Sequence, residues 1–281
     1  MSLTKRVVHL KKTGIPIEEL NKSTALESDT VQIINEPSLL LYENEPIISY
    51  GKLPQSPNLE AIRYHCKTIH YYKTERIQGL KTESRVIGFT TRNVLRADYC
   101  SSCSLARVSP KQHSLICGYA KYLEDIYKND FPSVYEQHRA QVVSSVLPEW
   151  TFGGTIFTSG IVNRTSSLKY HYDTGNFKNA MSCMLVLKKD IQGGMLSLPE
   201  YGVRLDLKDS TYLIFNGQNI LHGVTPIKRL NKNSYRYSIV FYSLEKMKSC
   251  LPAKEELERI RLVAKTRNEM RMKDKRTIND I

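Results

Sequence analysis

The chain has 281 residues, 41% of them apolar, which is enough for one large domain with its own hydrophobic core. Lysine and arginine number 41 against 28 aspartate and glutamate, a formal net charge of +13. This excess favours phosphate-rich partners, although a basic surface without a specific partner produces it too.

From the pattern of apolar segments we expect neither a signal peptide nor a membrane-spanning helix. Charges interrupt every apolar run of the N-terminal stretch MSLTKRVVHLKKTGIPIEEL, and no later segment approaches the length needed to cross a bilayer. We therefore expect an intracellular protein, whose cysteines are thiols or metal ligands rather than disulfides. The six cysteines are Cys66, Cys100, Cys103, Cys117, Cys183 and Cys250.

Helices are predicted in the middle of the chain, after an N-terminal extension of residues 1–55 that ends in the turn-rich stretch GKLPQSP. Serine caps free helical amides and proline suits the first helical position, so Ser-Pro pairs predict helix starts. In the second predicted helix, Gln112 would complete a capping box. The predicted starts are Ser56–Pro57, with a helix to about Ile69, Ser109–Pro110, and Pro132.

Beyond Pro148 the sequence changes to short segments rich in β-branched and aromatic residues, typical of strands. They are TFGGTIFTSGIVN, MSCMLVL, STYLIFNG and YRYSIVFYSL. We predict a mixed α/β chain whose all-β core, about residues 147–250, is carried on helices within a domain of residues 56–250. Residues 251–281 form a predicted charged helix, for which a solvated or docking role is favoured over a DNA-binding arm.

The stretch YHYDTGN predicts a metal site. Side chains alternate along an extended strand, so His171 and Asp173 point to one side and could hold one ion. A third ligand is needed, and His222 in FNGQNILHGVTPI is the candidate, at the end of a predicted buried strand. Two histidines and a carboxylate form the facial triad of non-haem Fe(II) oxygenases. The alternative for His222 is a core histidine with an ordinary hydrogen bond.

The last predicted strand, YRYSIVFYSL, supports the catalytic interpretation. Alternation places Arg236, Ser238, Val240 and Tyr242 on one face of the strand. The other face has Tyr235, Tyr237, Ile239 and Phe241. An inward-pointing arginine is unfavourable unless it meets an anion, and a co-substrate carboxylate would supply one through a bidentate pair.

These motifs occur in a recognisable order: HxDxxN (His171, Asp173, Asn176), then GGML, then LHGV, then RYSIVFY. Over residues 147–245 the chain resembles the TET/JBP family of Fe(II)- and 2-oxoglutarate-dependent dioxygenases, which oxidise the 5-methyl group of pyrimidines in DNA. The resemblance implies a double-stranded β-helix, a jelly-roll of the cupin-like kind. It also implies His171, Asp173 and His222 as catalytic iron ligands, with Arg236 and Ser238 on the distal carboxylate of 2-oxoglutarate.

The resemblance further suggests Asn176 and Tyr242 as substrate-facing residues. Family members that act on methylcytosine often have a histidine two residues beyond that tyrosine, where this chain has Leu244. The choice between 5-methylcytosine and thymine therefore stays open. Arg92 or Arg96 is a candidate for the other carboxylate of the co-substrate, with a salt bridge or a phosphate contact as alternatives.

A second cluster, CSSCSLARVSPKQHSLIC, has the composition of a structural zinc site. Cys100 and Cys103 have zinc-knuckle spacing, and His113 and Cys117 lie four residues apart on a predicted helix. These four residues could complete a tetrahedral site. The alternative is a buried stripe of the same helix that includes Ile116, since free cysteines are common core residues.

We therefore predict a monomeric dioxygenase that uses Fe(II), 2-oxoglutarate and O2 to oxidise 5-methylcytosine in DNA. It would be DNA-associated, in the cytoplasm of a prokaryotic or viral host or in a eukaryotic nucleus. The alternatives are a thymine hydroxylase on DNA, an oxygenase of the same fold acting on a protein or small molecule, and a non-catalytic DNA-binding module. The intact triad and Arg236 count against the last.

Overall fold

The computed structural model describes residues 5–76, 80–91 and 99–279, so Arg92 and Arg96 lie outside the described residues. Two β-sheets pack face to face, and a layer of helices covers the outer face of the larger sheet. The predicted mixed α/β class with an all-β core is confirmed. None of the helices in these ranges combines the length and hydrophobicity needed to cross a bilayer.

Helices and strands are unevenly distributed along the chain, and most of the described helices lie between residues 57 and 145. The helices are α1 (Ile17–Leu20), α2 (Pro57–Thr68), α3 (Ser104–Val108), α4 (Pro110–Asp130), α5 (Pro132–Ser145) and α6 (Ala253–Asn279). The strands are β1 (Arg6–His9), β2 (Gln32–Ile34), β3 (Ser38–Tyr42), β4 (Glu45–Lys52), β5 (Tyr72–Arg76), β6 (Leu80–Thr90), β7 (Ser101–Ser102), β8 (Ser159–Arg164), β9 (Leu168–His171), β10 (Ser182–Lys189), β11 (Ile191–Gly193), β12 (Leu196–Leu198), β13 (Val203–Leu205), β14 (Thr211–Phe215), β15 (His222–Val224), β16 (Ile227–Arg229) and β17 (Tyr235–Tyr242).

The larger sheet has the order β1-β3-β4-β14-β10-β17-β8-β6-β5, with β7 paired to β6. Its central strand β17 runs antiparallel to both neighbours, which sets Val240 opposite Met184 on β10 and opposite Ile161 on β8. Directly paired residues share a face of the sheet, so these three side chains line the same surface. That surface faces the smaller sheet.

The smaller sheet has the order β2-β13-β12-β15-β9. Its inner side packs against the larger sheet through one apolar cluster, in which Leu196, Leu198 and Val203 meet Met184 and Leu213. A second cluster fills the space between the larger sheet and helices α2, α4 and α5. Helices therefore cover the outer side of the larger sheet, and its inner side faces the smaller sheet.

Strand β17 shows how the sequence pattern produces these layers. Tyr237, Ile239 and Phe241 are buried against the helices. Arg236 and Ser238 are on the opposite face, directed into the sandwich. The predicted alternation of this strand is confirmed, and it sets the polar pair at the interface of the two sheets.

The predicted helix starts are confirmed as α2, α4 and α5. Ser56 caps α2, because its Oγ accepts a hydrogen bond from the Leu59 amide at 3.2 Å. The capping box predicted for α4 is wrong: in the described part of the chain the Ser109 side chain makes no capping bond, and Gln112 Nε2 donates to Thr68 Oγ1 at 3.0 Å. Gln112 thus connects α4 to α2 rather than capping α4.

Residues before α2 contribute strands to both sheets. Strands β1, β3 and β4 extend the larger sheet from the edge of β14, and β2 pairs in parallel with β13 of the smaller one. Lys5 forms an ion pair with Asp130 at the end of α4 and lies over the ring of Tyr212. The N-terminal segment is therefore folded onto the core that the later residues form.

The cysteine prediction is wrong at one pair, because Cys100 and Cys250 form a disulfide. The chain returns after β17 and packs the turn before α6 beside Cys100. Buried Glu256 accepts hydrogen bonds from the amides of Cys100 and Leu251, both at 3.0 Å. Residues 150 apart along the sequence meet here, a proximity that spacing alone does not indicate.

His138 on α5 is a buried histidine whose surroundings are aromatic. Its ring lies 6.0 Å from that of Tyr127 and 6.4 Å from that of Phe177, and within the described residues neither ring nitrogen has a hydrogen-bond partner. Burial lowers the pKa of His138 to about 4 from its ordinary value of 6.5. The folded protein therefore holds this imidazole neutral.

We predict that His138 weakens the fold in mild acid. Below its ordinary pKa the unfolded chain binds a proton that the folded chain takes up only near pH 4, so the unfolding free energy falls as pH falls through this window. The loss is about 2 kcal/mol between pH 7 and pH 5. Denaturant titrations at the two pH values should show it in the wild type and not in His138→Phe. His70→Phe, which removes an exposed imidazole, is the control, and an equal loss in all three proteins would contradict the assignment.

Candidate functional site

The two candidate histidines lie on neighbouring strands of the smaller sheet. His171 ends β9 and His222 begins β15, and the antiparallel register pairs them directly. Their ring centroids are 4.4 Å apart. His222 was expected at the end of a strand and instead begins one, which brings it beside His171 on the same face.

Asp173 completes the group. Its Oδ1 lies 3.8 Å from His171 Nε2 and 3.9 Å from His222 Nε2, and the three ligand atoms all fall within 4.8 Å of one another. Two ligand bonds near 2 Å span about this separation, so one ion fits between them. The predicted convergence of the three side chains is confirmed, and within the described residues no other group of three or more such side chains has this spacing.

The tautomer of both histidines is fixed by the backbone. His171 Nδ1 lies 2.8 Å from the carbonyl oxygen of Lys169, and His222 Nδ1 lies 2.9 Å from that of Ile220. A carbonyl oxygen only accepts, so each Nδ1 must carry the proton. In the neutral imidazole the lone pair is then on Nε2, directed toward Asp173, which is the arrangement that metal-binding histidines show.

Burial favours the metal-binding form of His222. The ring of Phe215 meets it edge-on at 4.9 Å. Burial lowers the pKa of His222, and the nearby Asp173 opposes that effect without cancelling it. A neutral imidazole is the form that binds a cation, so the apolar surroundings prepare this residue as a ligand.

Asp173 is held by a close approach to Gly217. The Asp173 amide donates to the Gly217 carbonyl at 2.8 Å. A Cβ atom at position 217 would lie 2.1 Å from Asp173 Oδ2 and 3.1 Å from His222 Cε1. Only glycine leaves space for the carboxylate in this position. Sequence analysis missed Gly217. The one feature in the sequence that points to it is its position five residues before His222.

A cavity of about 830 Å³ opens beside these three residues, between the two sheets. Arg236 lines it and is only 2% exposed. Among the described residues its Nε has no hydrogen-bond partner, and burial lowers the pKa of Arg236 to about 10. An unpaired buried guanidinium is unfavourable, and an anionic ligand in the cavity would remove that cost.

Two neighbours shape the surroundings of Arg236. Ser238 Oγ, on the same face of β17, accepts from Asn163 Nδ2 at 3.3 Å and can donate its own proton to a ligand. Gly194 in the GGML motif has φ +67, and a Cβ atom there would lie 3.1 Å from Arg236 Cδ. Glycine at position 194 therefore permits two things: the left-handed backbone conformation of the turn, and the close approach of the Arg236 side chain.

The predicted substrate-facing residues also line the cavity, together with Leu244. Asn176 is 8% exposed, its Nδ2 donates to Ser182 Oγ at 3.3 Å, and its backbone bridges to Leu244. Gln218, which sequence analysis missed, donates from Nε2 to the Asn176 carbonyl at 2.9 Å. Tyr242 lies on the face of Arg236, as alternation predicts.

The predicted zinc site is wrong as a set of four, because the disulfide removes Cys100 as a ligand. Cys103 Sγ instead accepts from the Ala106 amide at the start of α3, at 3.4 Å. His113 Nε2 accepts from the Gly88 amide at 2.9 Å and lies 3.3 Å from Cys117 Sγ. Burial raises the pKa of the Cys117 thiol, so this cluster behaves as core rather than as thiolate ligands.

Comparison with known proteins agrees with this geometry. The TET/JBP family model, the oxygenase domain of the 2OGFeDO superfamily, matches residues 92–245, more than half of the chain. The chain belongs to the TET/JBP family. The match begins upstream of the residues 147–245 that carry the motifs, so it includes α3, α4 and α5.

Two relatives of the TET/JBP family show the extent of the likeness. Thymine dioxygenase JBP1 of Trypanosoma brucei brucei is 28% identical over 145 residues, 51% of this chain and 17% of that protein. The bifunctional helicase and thymine dioxygenase JBP2 of Leishmania braziliensis is 25% identical over 122 residues, 43% of this chain and 11% of that protein. The chain thus matches a small part of each relative.

A solved structure supports the TET/JBP fold. NgTET1 in complex with 5mC DNA superposes with a TM-score of 0.58 at 14% identity, over 85% of this chain and 89% of that chain. The likeness shows a common double-stranded β-helix. Superfamily membership implies Fe(II), 2-oxoglutarate and O2, and the donor set fits: two imidazoles with one carboxylate suit Fe(II), and Arg236 suits a carboxylate.

We predict that Gly217→Ala weakens metal binding while the fold persists. The added methyl group displaces Asp173 from the two histidines, and loss of such supporting geometry typically costs about 10- to 100-fold in affinity. Titration of metal-free protein with Fe(II) under anaerobic conditions measures this directly. The control is Gly118→Ala on α4, where a Cβ meets nothing within 4 Å. Equal affinity in the two variants, with equal melting temperatures, would contradict the packing argument.

We predict that Arg236→Lys weakens 2-oxoglutarate binding about tenfold or more, since loss of a charge-assisted hydrogen bond costs about 1.5–3 kcal/mol. A lysine keeps the charge and cannot make the planar two-pronged contact. Equilibrium binding of 2-oxoglutarate to the metal-loaded protein is the measurement. Arg229→Lys, an exposed position on β16, is the control, and an unchanged dissociation constant for Arg236→Lys would assign the co-substrate to another cation.

Proposed function

We propose that this chain is an Fe(II)- and 2-oxoglutarate-dependent dioxygenase that oxidises the 5-methyl group of 5-methylcytosine in DNA. The observation that carries the proposal is buried Arg236, whose Nε has no hydrogen-bond partner among the described residues, in the same cavity as His171, Asp173 and His222. The three ligands alone suit many metals, and the arginine adds a place for a carboxylate beside them. Together they match what the TET/JBP family uses.

The roles of the residues follow from their places in the cavity. When bound, Fe(II) together with 2-oxoglutarate and O2 supplies the oxidant that converts a methyl group to hydroxymethyl. His171, Asp173 and His222 hold the metal through two imidazole nitrogens and one carboxylate. Arg236 and Ser238 bind and orient the distal carboxylate of 2-oxoglutarate from the opposite sheet. This division leaves the remaining cavity for the substrate.

Apolar side chains from both sheets surround the polar groups. Met184 and Val240 come from the larger sheet, and Leu196 and Val224 come from the smaller one. They exclude water from the reacting methyl group, which protects a strong oxidant from side reactions. Phe215 fixes the His222 ring from one side. The protein positions and shields the chemistry rather than supplying a nucleophile.

DNA as the substrate requires that the target nucleotide leave the duplex, because a stacked base cannot reach a cavity between two sheets. A flipped base needs an aromatic surface and a polar reader of its edge. Tyr242 and Asn176 are the proposed pair. The side-chain amide of Asn176 can both donate and accept hydrogen bonds, so it suits either methylated pyrimidine.

Thymine is the second candidate base. Leu244 lines the cavity where methylcytosine-acting members often have a histidine, so that polar contact with cytosine is missing here. The relatives JBP1 and JBP2 are thymine dioxygenases. Cytosine offers an amine where thymine offers a carbonyl oxygen, and the difference at this edge is what the cavity must read.

The test is nucleoside mass spectrometry after incubation of the protein with Fe(II), 2-oxoglutarate and duplexes that contain 5-methylcytosine, or only thymine. Hydroxymethylcytosine is the expected product, and hydroxymethyluracil from both duplexes would favour the second candidate. His171→Ala, Asp173→Ala and His222→Ala should each abolish product. Succinate release stimulated by peptides or free nucleosides and not by DNA would overturn DNA as the substrate.

We predict that Tyr242→Ala loses most product while Fe(II) and 2-oxoglutarate still bind, because stacking on an aromatic ring contributes about 1–3 kcal/mol per base. Asn176→Ala should change the ratio of methylcytosine to thymine oxidation more than it changes 2-oxoglutarate binding. Competition between the two duplexes in one reaction measures that ratio. Wild-type rates and ratio in both variants would mean that the base binds elsewhere.

A further inference from the structure

A segment outside the family match forms one wall of the cavity mouth. Asn21 and Lys22, which follow α1, line the cavity together with residues of β9. Two backbone hydrogen bonds attach the segment to β9: the Lys22 amide donates to the Tyr170 carbonyl at 2.7 Å, and the Tyr170 amide donates to the Ser23 carbonyl at 2.9 Å. The backbone of Lys22 is therefore fixed beside Tyr170, the residue that precedes the candidate metal ligand His171.

Apolar packing holds the same segment in place. Buried Ala25 contacts Tyr170 and Leu221 in a small cluster, against which Ile17 and Leu20 also pack. The Tyr170 hydroxyl joins this segment to the smaller sheet through Asp29 Oδ2 at 2.9 Å and Ser197 Oγ at 2.6 Å. The wall is thus a packed part of the fold and not a loose terminus.

The backbone of Lys22 is strained. Its φ is +75°, a left-handed conformation that side chains other than glycine and asparagine rarely adopt. Such strain persists only when surrounding contacts hold it, and it concentrates at functional positions. Here the amide bond to Tyr170 and the packing of Ala25 hold it.

A second lysine lies on the same rim. Lys169 on β9 also lines the cavity, half-buried, and its carbonyl orients the ring of His171. Among the described residues neither Lys169 nor Lys22 forms an ion pair. The lining contains one carboxylate, that of Asp173, which the metal would neutralise. The lining therefore carries more positive than negative charge, although Glu18 and Glu200 lie near enough to the lining residue Tyr172 to act on its hydroxyl.

We propose that Lys22 and Lys169 bind the phosphates on either side of the flipped nucleotide, so that the N-terminal segment is part of the DNA interface. This inference rests on the proposed function. A base that enters the cavity leaves its own two phosphates at the rim, where the ammonium groups lie. Arg236 is deep in the cavity and serves the co-substrate carboxylate, while Lys22 is exposed at the mouth. Lysine acts on phosphate as a mobile point charge and needs no fixed orientation.

The test is the salt dependence of DNA affinity, measured by fluorescence anisotropy with the full chain and a duplex that contains the target base. Loss of one phosphate contact reduces the slope of log affinity against log salt by about 0.9. We expect this reduction for Lys22→Asn and for Lys169→Gln, and about twice the reduction for the double variant. Asparagine tolerates the left-handed backbone, so Lys22→Asn should keep the melting temperature of the wild type.

The control is Lys232→Asn, which removes one exposed charge outside the cavity lining. Its slope should equal that of the wild type, so a general effect of net charge is separated from a contact at the mouth. Slopes for Lys22→Asn and Lys169→Gln equal to the control would overturn this inference while leaving the proposed function standing. Absence of DNA binding by the unchanged protein would overturn both.

Discussion

The pairing of β9 with β15 is the constraint on which the site depends, because it sets His171 directly opposite His222. Side chains alternate along a strand, so a slip of one residue would turn one imidazole to the other face of the smaller sheet. Both ends of this pairing are held by further contacts. The Asp173 amide bonds to the Gly217 carbonyl, and the Tyr170 hydroxyl bonds to Ser197. Register therefore determines the spacing of the two histidines, and the bond to Gly217 places Asp173 just beyond the end of β9.

The larger sheet contributes the opposite half of the site at a cost to the fold. Arg236 is buried without a partner for its Nε among the described residues, and its low pKa reflects that burial. A hydrophobic residue there would pack more favourably in the absence of ligand. The cost is recovered when an anion binds, so ligand binding also stabilises the folded state. The same burial that makes the arginine unfavourable makes its contact with a carboxylate strong, because no water competes for it.

Local patterns predicted the parts of the site that lie on regular strands. Alternation along β17 was sufficient to place Arg236 and Ser238 on one face, and the HxD spacing was sufficient to pair His171 with Asp173. The disulfide and the role of Gly217, which sequence analysis missed, both involve contacts between distant segments. Cys100 meets Cys250 because the chain returns past Cys100 before α6. Gly217 leaves space for the carboxylate of Asp173, which lies 44 residues earlier in the sequence. No local pattern contains that information, since it arises from the packing of the two sheets.

The chemistry and the access to it come from different parts of the chain. The three candidate metal ligands and Arg236 lie within residues 92–245, which the family model matches, whereas Asn21 and Lys22, which also line the cavity, lie outside them. If the proposed function holds, residues at the mouth would touch the substrate without touching the metal, so substitutions there could alter what enters while the triad is unchanged. Positions that contact DNA could then diverge faster than positions that hold the metal. On the proposed function, the N-terminal wall is therefore where this chain would set its own preference among nucleic-acid substrates.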